Sequence, residues 1–128
     1  MDAQGSRTEQ QMSKPIKSIK TVEKDGDESW HNRKGQYHRE DGPAYIGTNG
    51  FTSWWFKGER HRVDGPAVID EDGNEEWWLD GKLHREDGPA IVVHNGSRSG
   101  LRQWWLEGNV YSCNLEWLLA VYEFQKKN

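Results

Sequence analysis

The chain has 128 residues, which is enough for one domain with a modest core, and its composition of 33% hydrophobic residues with eight tryptophans predicts a core built from few but large aromatic side chains. The formal net charge of −4 gives no general attraction to phosphate, which argues against a nucleic-acid binder or a protein of anionic membrane surfaces. The chain lacks a long apolar stretch and an N-terminal signal core, and Cys113 is its single cysteine, so we expect a cytoplasmic protein with no membrane association and no intramolecular disulfide.

The N-terminal region divides into two parts of different pattern. Residues 1–15 have no periodicity and are rich in Gln, Ser and charge, so we expect a disordered tail there. Residues 16–22 alternate apolar and polar side chains, several of them β-branched, which predicts an edge strand. We expect residues 16–128 to form a single repeat domain that begins with this strand.

A repeated segment occupies the middle of the chain. The pattern Gly-x-x-His-Arg-x-Asp-Gly-Pro-Ala occurs three times, within residues 34–44, 57–67 and 80–90, and its histidines are 23 residues apart in both steps. The pairs Trp54-Trp55 and Trp77-Trp78 are also 23 residues apart, and a third pair, Trp104-Trp105, follows after 27. We therefore interpret residues 30–108 as a row of structural repeats, the last of which carries an insertion.

Each repeat contains two runs of β-forming residues with turn residues between them. Asn49-Gly50 and Asp72-Gly73 separate these runs, and both dipeptides are strong signals for hairpins. The Gly-Pro step cannot continue a ladder because proline lacks an N–H, so the segment from each His to its Pro must be a loop. The predicted fold is mainly β, an antiparallel meander of hairpin repeats of about 23 residues with one C-terminal α-helix packed on it.

Alternation along the strands divides the tryptophans between two faces. The first Trp of each pair shares an apolar face with the residue two positions later, as in Trp54 with Phe56. The second Trp of each pair lies on the other face between polar neighbours. This second set forms a predicted ladder: Trp55, Trp78 and Trp105.

A helix is predicted from about residue 115 to 126, with Ser112 or Asn114 as its N-cap. Its apolar residues include a stripe at spacings i, i+3, i+4 and i+7, which comprises Leu115, Leu118, Leu119 and Tyr122. Further apolar residues, Trp117, Val121 and Phe124, widen that stripe. A helix this apolar must lie on another surface, so we expect it to pack on a face of the sheet.

The repeated motif resembles the tandem β-hairpin repeats of the MORN-like superfamily, which have a similar period. It is most similar to a variant with the pattern Trp-x-x-x-Gly-x-x-His-Arg-x-Asp-Gly-Pro-Ala, found in proteins of phages, giant viruses and bacteria. The resemblance covers roughly residues 30–108. It implies a β-meander and a binding or scaffolding role, including inhibition of a partner protein.

The polar residues that recur in each copy of the motif have two possible roles. His38, His61 and His84, each followed three residues later by Asp, suggest a metal or acid–base site. Metal ligands must converge on one ion, however, whereas stacked repeats place equivalent residues side by side. We therefore favour a structural role, in which Asp fixes the loop by accepting hydrogen bonds from backbone donors ahead of Gly-Pro and His packs or bonds locally.

The arginines of the motif form a second column, which comprises Arg39, Arg62 and Arg85. Each is expected to stack on a neighbouring Trp of the next unit, as a cation–π contact. The alternative is that each receives a phosphate or carboxylate of a ligand.

The Trp ladder likewise has two possible fates: the C-terminal helix covers it, or it remains a partly exposed interaction surface.

Repeats, an aromatic ladder and the lack of a Gly-rich phosphate loop or nucleophile motif favour a non-enzymatic binding protein. With the resemblance, they predict an inhibitor or immunity-type protein of phage or bacterial origin that blocks a partner macromolecule, foremost another protein, in the cytoplasm (the host cytoplasm if phage-encoded). The alternative is a protein that sequesters a nucleotide-like ligand by Trp stacking and Arg contacts. No cofactor or metal is expected, and homo-oligomerisation is open because one helix cannot cover both sheet faces. The candidate binding residues are Trp55, Trp78, Trp105, Arg39, Arg62 and Arg85.

Overall fold

Short antiparallel strands follow one another along most of the chain in the structure, a computed structural model that describes residues 15–128. The prediction of a disordered tail over residues 1–15 concerns residues that, except for Pro15, lie outside the described part. The strands and the single helix of the described part confirm the predicted fold, a mainly β antiparallel meander with one C-terminal helix.

Nine strands form one sheet, in which every neighbouring pair is antiparallel. Their order across the sheet is β1 (Ile19–Val22), β2 (Glu28–His31), β3 (Tyr45–Ile46), β4 (Thr52–Ser53), β7 (Val68–Ile69), β8 (Glu75–Glu76), β11 (Ile91–Val92), β12 (Arg102–Leu106) and β13 (Asn109–Tyr111). Two further pairs make separate ribbons, β5 (Trp55–Phe56) with β6 (Glu59–Arg60) and β9 (Trp78–Leu79) with β10 (Lys82–Leu83). Each interior repeat therefore contributes one hairpin to the sheet and one ribbon beside it.

The first Trp of a pair is the point at which the chain leaves the sheet for the ribbon. The N–H of Trp54 donates to the carbonyl of Ala67 at 2.7 Å, and its own carbonyl accepts the N–H of His61 at 3.1 Å. Trp77 makes the same two bonds with Ala90 and His84. The backbone remains paired through the bend, so the change of direction leaves these groups satisfied.

The ribbons close in tight turns of two residues. Lys57 and Gly58 have φ values of 49° and 84°, and Asp80 with Gly81 and Glu107 with Gly108 repeat this pair of positive angles. Two consecutive residues with positive φ are the signature of a type I′ hairpin turn. This turn fixes which residues face each other across the ribbon, and thereby the composition of each face.

Adjacent units are joined by the same backbone bonds at every junction. The N–H of Arg39 donates to the carbonyl of Trp55 in the next unit at 3.1 Å, and the N–H of Gly58 donates back to Tyr37 at 2.9 Å. The equivalent bonds recur one unit later and again at the junction with the last Trp pair. The small side chains at the end of each motif are fully buried beneath these loops, at Ala44, Ala67 and Ala90.

The helix α1 (Asn114–Lys127) packs on β12 and β13. Trp117 and Val121 are buried against Leu106, and they form the apolar cluster that closes the row of repeats. The indole N–H of Trp117 also donates to the carbonyl of Arg85 at 3.1 Å, which ties the helix to the loop of the last complete motif.

The prediction that this helix packs on the sheet is correct, but the side predicted to make the contact is wrong. The helix packs with the side opposite to the Leu115 stripe. The stripe predicted to pack is exposed, whereas the residues expected only to widen it make the contact. The bulkier side chains and the indole hydrogen bond give the inner side more buried area and a satisfied donor. The expected N-cap is also absent: Cys113 occupies that position without a side-chain cap bond, and the Ser112 hydroxyl bonds Glu116 Oε1 at 2.7 Å instead.

Within residues 15–128, no helix has the length and apolar character needed to cross a bilayer.

Candidate functional site

The ladder tryptophans lie in a row with the residues that face them across each ribbon. Trp55 pairs with Arg60, Trp78 with Leu83, and Trp105 with Val110. Paired residues of antiparallel strands share a face, so the row alternates aromatic rings with other side chains. Tyr37 lies next to Trp55, with 5.3 Å between the ring centroids. We call this set the ladder row: Tyr37, Trp55, Arg60, Trp78, Leu83, Trp105 and Val110.

Each ladder indole is held by a hydrogen bond to the residue two positions before it. The N–H of Trp55 donates to Ser53 Oγ at 2.8 Å, and that of Trp78 donates to Glu76 Oε1 at 2.8 Å. The N–H of Trp105 donates to Gln103 Oε1 at 3.2 Å. The three rings are half-buried between their neighbours. Their orientation is therefore fixed, and they present a preformed aromatic surface.

Arg60 occupies the centre of the ladder row. Its guanidinium carbon is 5.4 Å from the ring centroid of Trp55 and 5.2 Å from that of Trp78, so both rings flank the cation. The Nη1 atom is 3.9 Å from Glu76 Oε1, while the buried Nε–H has no acceptor among the described residues.

The C-terminal helix does not cover the ladder row. Its buried residues contact Leu106, Trp104 and Tyr111, which lie on the other side of the last hairpin. The second of the two fates considered for the ladder, a partly exposed surface, is therefore the one that the described residues adopt.

The predicted arginines lie away from the ladder. Arg39, Arg62 and Arg85 each stack on the first Trp of their own unit, so the expected stacking on a Trp of the next unit is wrong. The guanidinium carbons are 3.9 Å from the ring centroid of Trp30, 4.1 Å from Trp54 and 3.8 Å from Trp77. Arg62 stacks on Trp54, at the bend between β4 and β5, whereas the arginine beside Trp55 is Arg60. The six predicted site residues therefore form two separate surfaces.

The guanidinium of each motif arginine is also hydrogen-bonded within its own loop. Arg62 Nε donates to Asp64 Oδ1 at 3.2 Å and Arg62 Nη1 donates to the carbonyl of Pro66 at 3.1 Å. The other two copies make the same pair of bonds. The Asp of the motif thus holds the arginine rather than the backbone donors that we expected it to hold. These bonds stabilise the loop and occupy two of the donors that an anionic ligand would need.

The motif histidines join successive units. His38 Nδ1 accepts the N–H of Lys57 at 2.9 Å, His61 Nδ1 accepts that of Asp80 at 3.0 Å, and His84 Nδ1 accepts that of Glu107 at 2.9 Å. Burial lowers the pKa of His61 below its usual value, against the opposing effect of the Asp80 carboxylate. In all three copies the histidine ring is thus an acceptor that ties the turn of the next unit to its own unit.

Residues 15–128 contain no set of metal ligands, because no three His, Cys, Asp or Glu side chains in this range are close enough together to hold an ion. The histidine and aspartate of each motif have the separate structural partners described above. Cys113 is exposed beside the start of α1.

Sequence reasoning missed four members of the ladder row: Tyr37, Arg60, Leu83 and Val110. The first three each stand immediately before a motif histidine, and Val110 is in the last unit, which lacks that motif. Their chemical types differ, so no repeated letter marks the position. The signal that identifies them is the turn: a two-residue type I′ turn at Lys57-Gly58 places Arg60 opposite Trp55.

A second exposed surface lies on the outer side of α1. Leu115 and Leu119 are each 68% exposed, Tyr122 is 60% exposed and Leu118 is 49% exposed. We call these four residues the outer stripe.

Comparison of the chain with models of known families, with curated proteins and with solved structures gives no match.

Proposed function

We propose that this chain is a non-enzymatic binding protein that blocks a partner macromolecule, another protein, with its ladder row. The observation that carries the proposal is the row itself, in which three half-buried indoles held by side-chain bonds alternate with other side chains on a side that the helix leaves uncovered. Tryptophan, tyrosine and arginine are the residues most often found at energetic hot spots of protein interfaces.

The centre of the row supports a protein partner. Arg60 lies between two tryptophans, and its side chain is 36% exposed. A partner carboxylate or carbonyl that bonds the exposed part of the guanidinium would be screened from water by the flanking rings. The rings are already oriented, so little conformational entropy is lost when a partner binds.

The other repeated polar residues support binding rather than catalysis. The histidines join units and the arginines hold loops, so the motif's reactive-looking side chains are engaged in the fold. The resemblance to MORN-like repeats of phage and bacterial proteins supports an inhibitor or immunity-type protein that acts in the cytoplasm of a bacterium.

Purification of the tagged protein from bacterial lysate, followed by native mass spectrometry, tests this proposal. We expect a stoichiometric complex with one host protein. Trp55→Ala, Trp78→Ala and Trp105→Ala should each weaken that complex by at least about tenfold, since truncation of a hot-spot residue commonly costs more than about 1.4 kcal/mol.

Val22→Ala is the control, because it truncates an exposed apolar side chain (60%) outside both the ladder row and the outer stripe. Circular dichroism establishes that each variant is folded. If all three ladder variants fold and retain the partner as the parent protein does, the ladder row is not the binding surface.

A second candidate function is sequestration of a nucleotide-like ligand, which one observation favours. A cleft of about 510 Å³ near the first unit is lined by Lys17, Arg33, Lys34 and Lys57, with no carboxylate among its described lining residues. Such a cleft suits an anion. The same mass measurement separates the two functions, because a sequestered nucleotide would add a small mass to the protein without a second chain.

A further inference from the structure

The outer stripe is a group of large apolar side chains that the repeat fold does not use. The inner side of α1 already supplies the packing against the last hairpin, through Trp117 and Val121. The outer side exposes half to two-thirds of each of its four apolar side chains. Together these form a contiguous patch of roughly several hundred Å², the size at which apolar surface usually marks an interaction site.

We propose that the outer stripe pairs with the outer stripe of a second copy of this chain, in an antiparallel helix pair with twofold symmetry. A twofold interface requires a patch that is complementary to itself. The spacing of Leu115, Leu118, Leu119 and Tyr122 is the same when read in either direction. A twofold axis between the two central leucines therefore places Leu118 against the partner's Leu119, and Leu115 against the partner's Tyr122.

The charges along α1 fit the antiparallel direction. Glu116 lies in the first turn, where Ser112 holds its carboxylate, and Lys126 and Lys127 lie in the last turn. Antiparallel pairing opposes the two helix dipoles. With the axis between Leu118 and Leu119, Lys126 and Lys127 lie at the level of the partner's residues 111 and 110, just ahead of the start of the partner's helix. Glu123 lies at the level of the partner's Asn114, two positions from the partner's Glu116, and Lys126 of its own chain offsets its charge at 3.8 Å.

Residues 1–14 offer no match for the outer stripe. Residues 1–14, the only part outside the described structure, contain Met1 and Met12 as their sole large apolar side chains. Two methionines cannot match four large apolar side chains of the stripe. Two copies of the stripe with their flanking polar residues approach the ~1,000 Å² of buried surface that a specific interface needs.

Sedimentation velocity of the full-length protein over a concentration series tests the pairing. We expect a monomer that converts to a dimer as concentration rises, without higher species, because a twofold interface closes on itself. A wild-type protein that stays monomeric at every concentration overturns the proposal. So does a wild-type protein whose stripe binds a different polypeptide in a stoichiometric complex.

Two charge variants test the register of the helix pair. Leu118→Glu and Leu119→Lys each place a charge in the apolar contact, so each variant alone should be monomeric at concentrations where the wild-type protein dimerises. Mixed in equal amounts, they should form a heterodimer, because the glutamate at 118 of one chain faces the lysine at 119 of the other while two leucines meet at the second position.

Val63→Glu is the matched control, since Val63 is an exposed apolar residue (44%) far from α1 in the sequence and should leave the dimer intact. A dimer that persists in Leu118→Glu, or a mixture that stays monomeric while both variants are folded, overturns the antiparallel pairing. The ladder variants should dimerise normally, so this proposal and the proposed function fail independently.

Discussion

The histidine of each motif connects its unit to the next through one hydrogen bond at Nδ1. The three copies differ at the other ring nitrogen. His84 Nε2 is 3.1 Å from Glu86 and His38 Nε2 is 3.4 Å from Glu40, whereas the equivalent position beside His61 is Val63. His61 therefore lacks a carboxylate at Nε2, while the Asp80 carboxylate lies 3.1 Å from its Nδ1.

This difference predicts a pH dependence of stability that arises at His61. Burial lowers the pKa of His61 from its ordinary value of 6.5, so the folded protein holds the ring neutral more strongly than the unfolded chain does. The contribution of the neutral His61 ring to the free energy of unfolding is therefore fully present above pH 6.5. It is lost as the pH falls through the folded-state pKa of His61. Urea denaturation at a series of pH values, with an NMR titration of His61, measures both quantities.

Val63→Glu changes this behaviour in a defined direction. A glutamate at 63 would stand where Glu86 stands beside His84, so it should raise the pKa of His61 and reduce the loss of stability at low pH. Val63→Gln introduces a side chain of the same shape as glutamate but without its charge, and it serves as the control. Equal His61 pKa values in the two variants would show that the carboxylate does not reach the ring.

At the scale of the structural element, the loop from His to Pro is built around a stacked arginine. The guanidinium lies between a tryptophan ring on one side and the glycine before proline on the other. A Cβ added at Gly65 would lie 2.8 Å from Arg62 Cζ, and the equivalent distances at Gly42 and Gly88 are 2.9 and 2.8 Å. The glycine of the Asp-Gly-Pro sequence is therefore needed for packing, and its φ is not in the left-handed region.

Gly65→Ala should consequently destabilise the protein by about 1–3 kcal/mol, because the methyl group displaces the guanidinium from Trp54. A double-mutant cycle with Arg62→Ala isolates the cause. Gly65→Ala should lower the free energy of unfolding much less in the Arg62→Ala background than in the parent protein, as measured by chemical denaturation. Equal costs in both backgrounds would assign the effect to the backbone.

The elements that sequence predicts best are those whose signals are local. Asn49-Gly50 and Asp72-Gly73 fall in hairpin connections, and alternation correctly separates Trp54 from Trp55. The break in each strand at the first Trp was not predicted, because it results from bonds to Ala67 and His61 in distant parts of the unit. Without that bend, the Trp on which Arg62 stacks cannot be identified.

The helix shows the same limit. Its span follows from apolar periodicity, but the periodicity contains two stripes of comparable strength, and the Leu115 stripe has the cleaner spacing. The choice between them depends on the carbonyl of Arg85, which accepts the indole N–H of Trp117 from 32 positions away in sequence. The candidate site was likewise predicted in part: the ladder tryptophans follow from alternation, whereas Arg60 requires the turn geometry.

At the scale of the whole molecule, the units form a one-dimensional array in which each unit bonds to its neighbours. α1 closes the C-terminal end of this array by packing on Leu106. In such an array, stability is approximately the sum of the unit contributions and the contributions of the junctions between them. Damage to the closing cluster should therefore remain near that end.

Leu106→Ala should remove about 2–5 kcal/mol from the closing cluster, since it leaves a cavity beside Trp117 and Val121. Native-state hydrogen exchange should then show lost protection in α1, β12 and β13, with smaller changes in β2 to β4. Val68→Ala, in the middle of the array, is the comparison and should affect both sides of its unit. A uniform loss of protection in Leu106→Ala would show that the molecule unfolds as one unit.

Every junction between units uses the same kinds of donor and acceptor: the arginine N–H donates to the next tryptophan carbonyl, and the histidine accepts an N–H of the next turn. The last junction makes these bonds across an insertion of four residues. Units can consequently be added or removed without requiring a new type of contact between them. An in-frame duplication of one repeat would create a junction identical to those already present and would add one tryptophan and its cross-ribbon neighbour to the ladder row. Unequal recombination between repeats of the gene would thus lengthen or shorten the binding face in fixed steps, so that relatives of different length can match partners of different size.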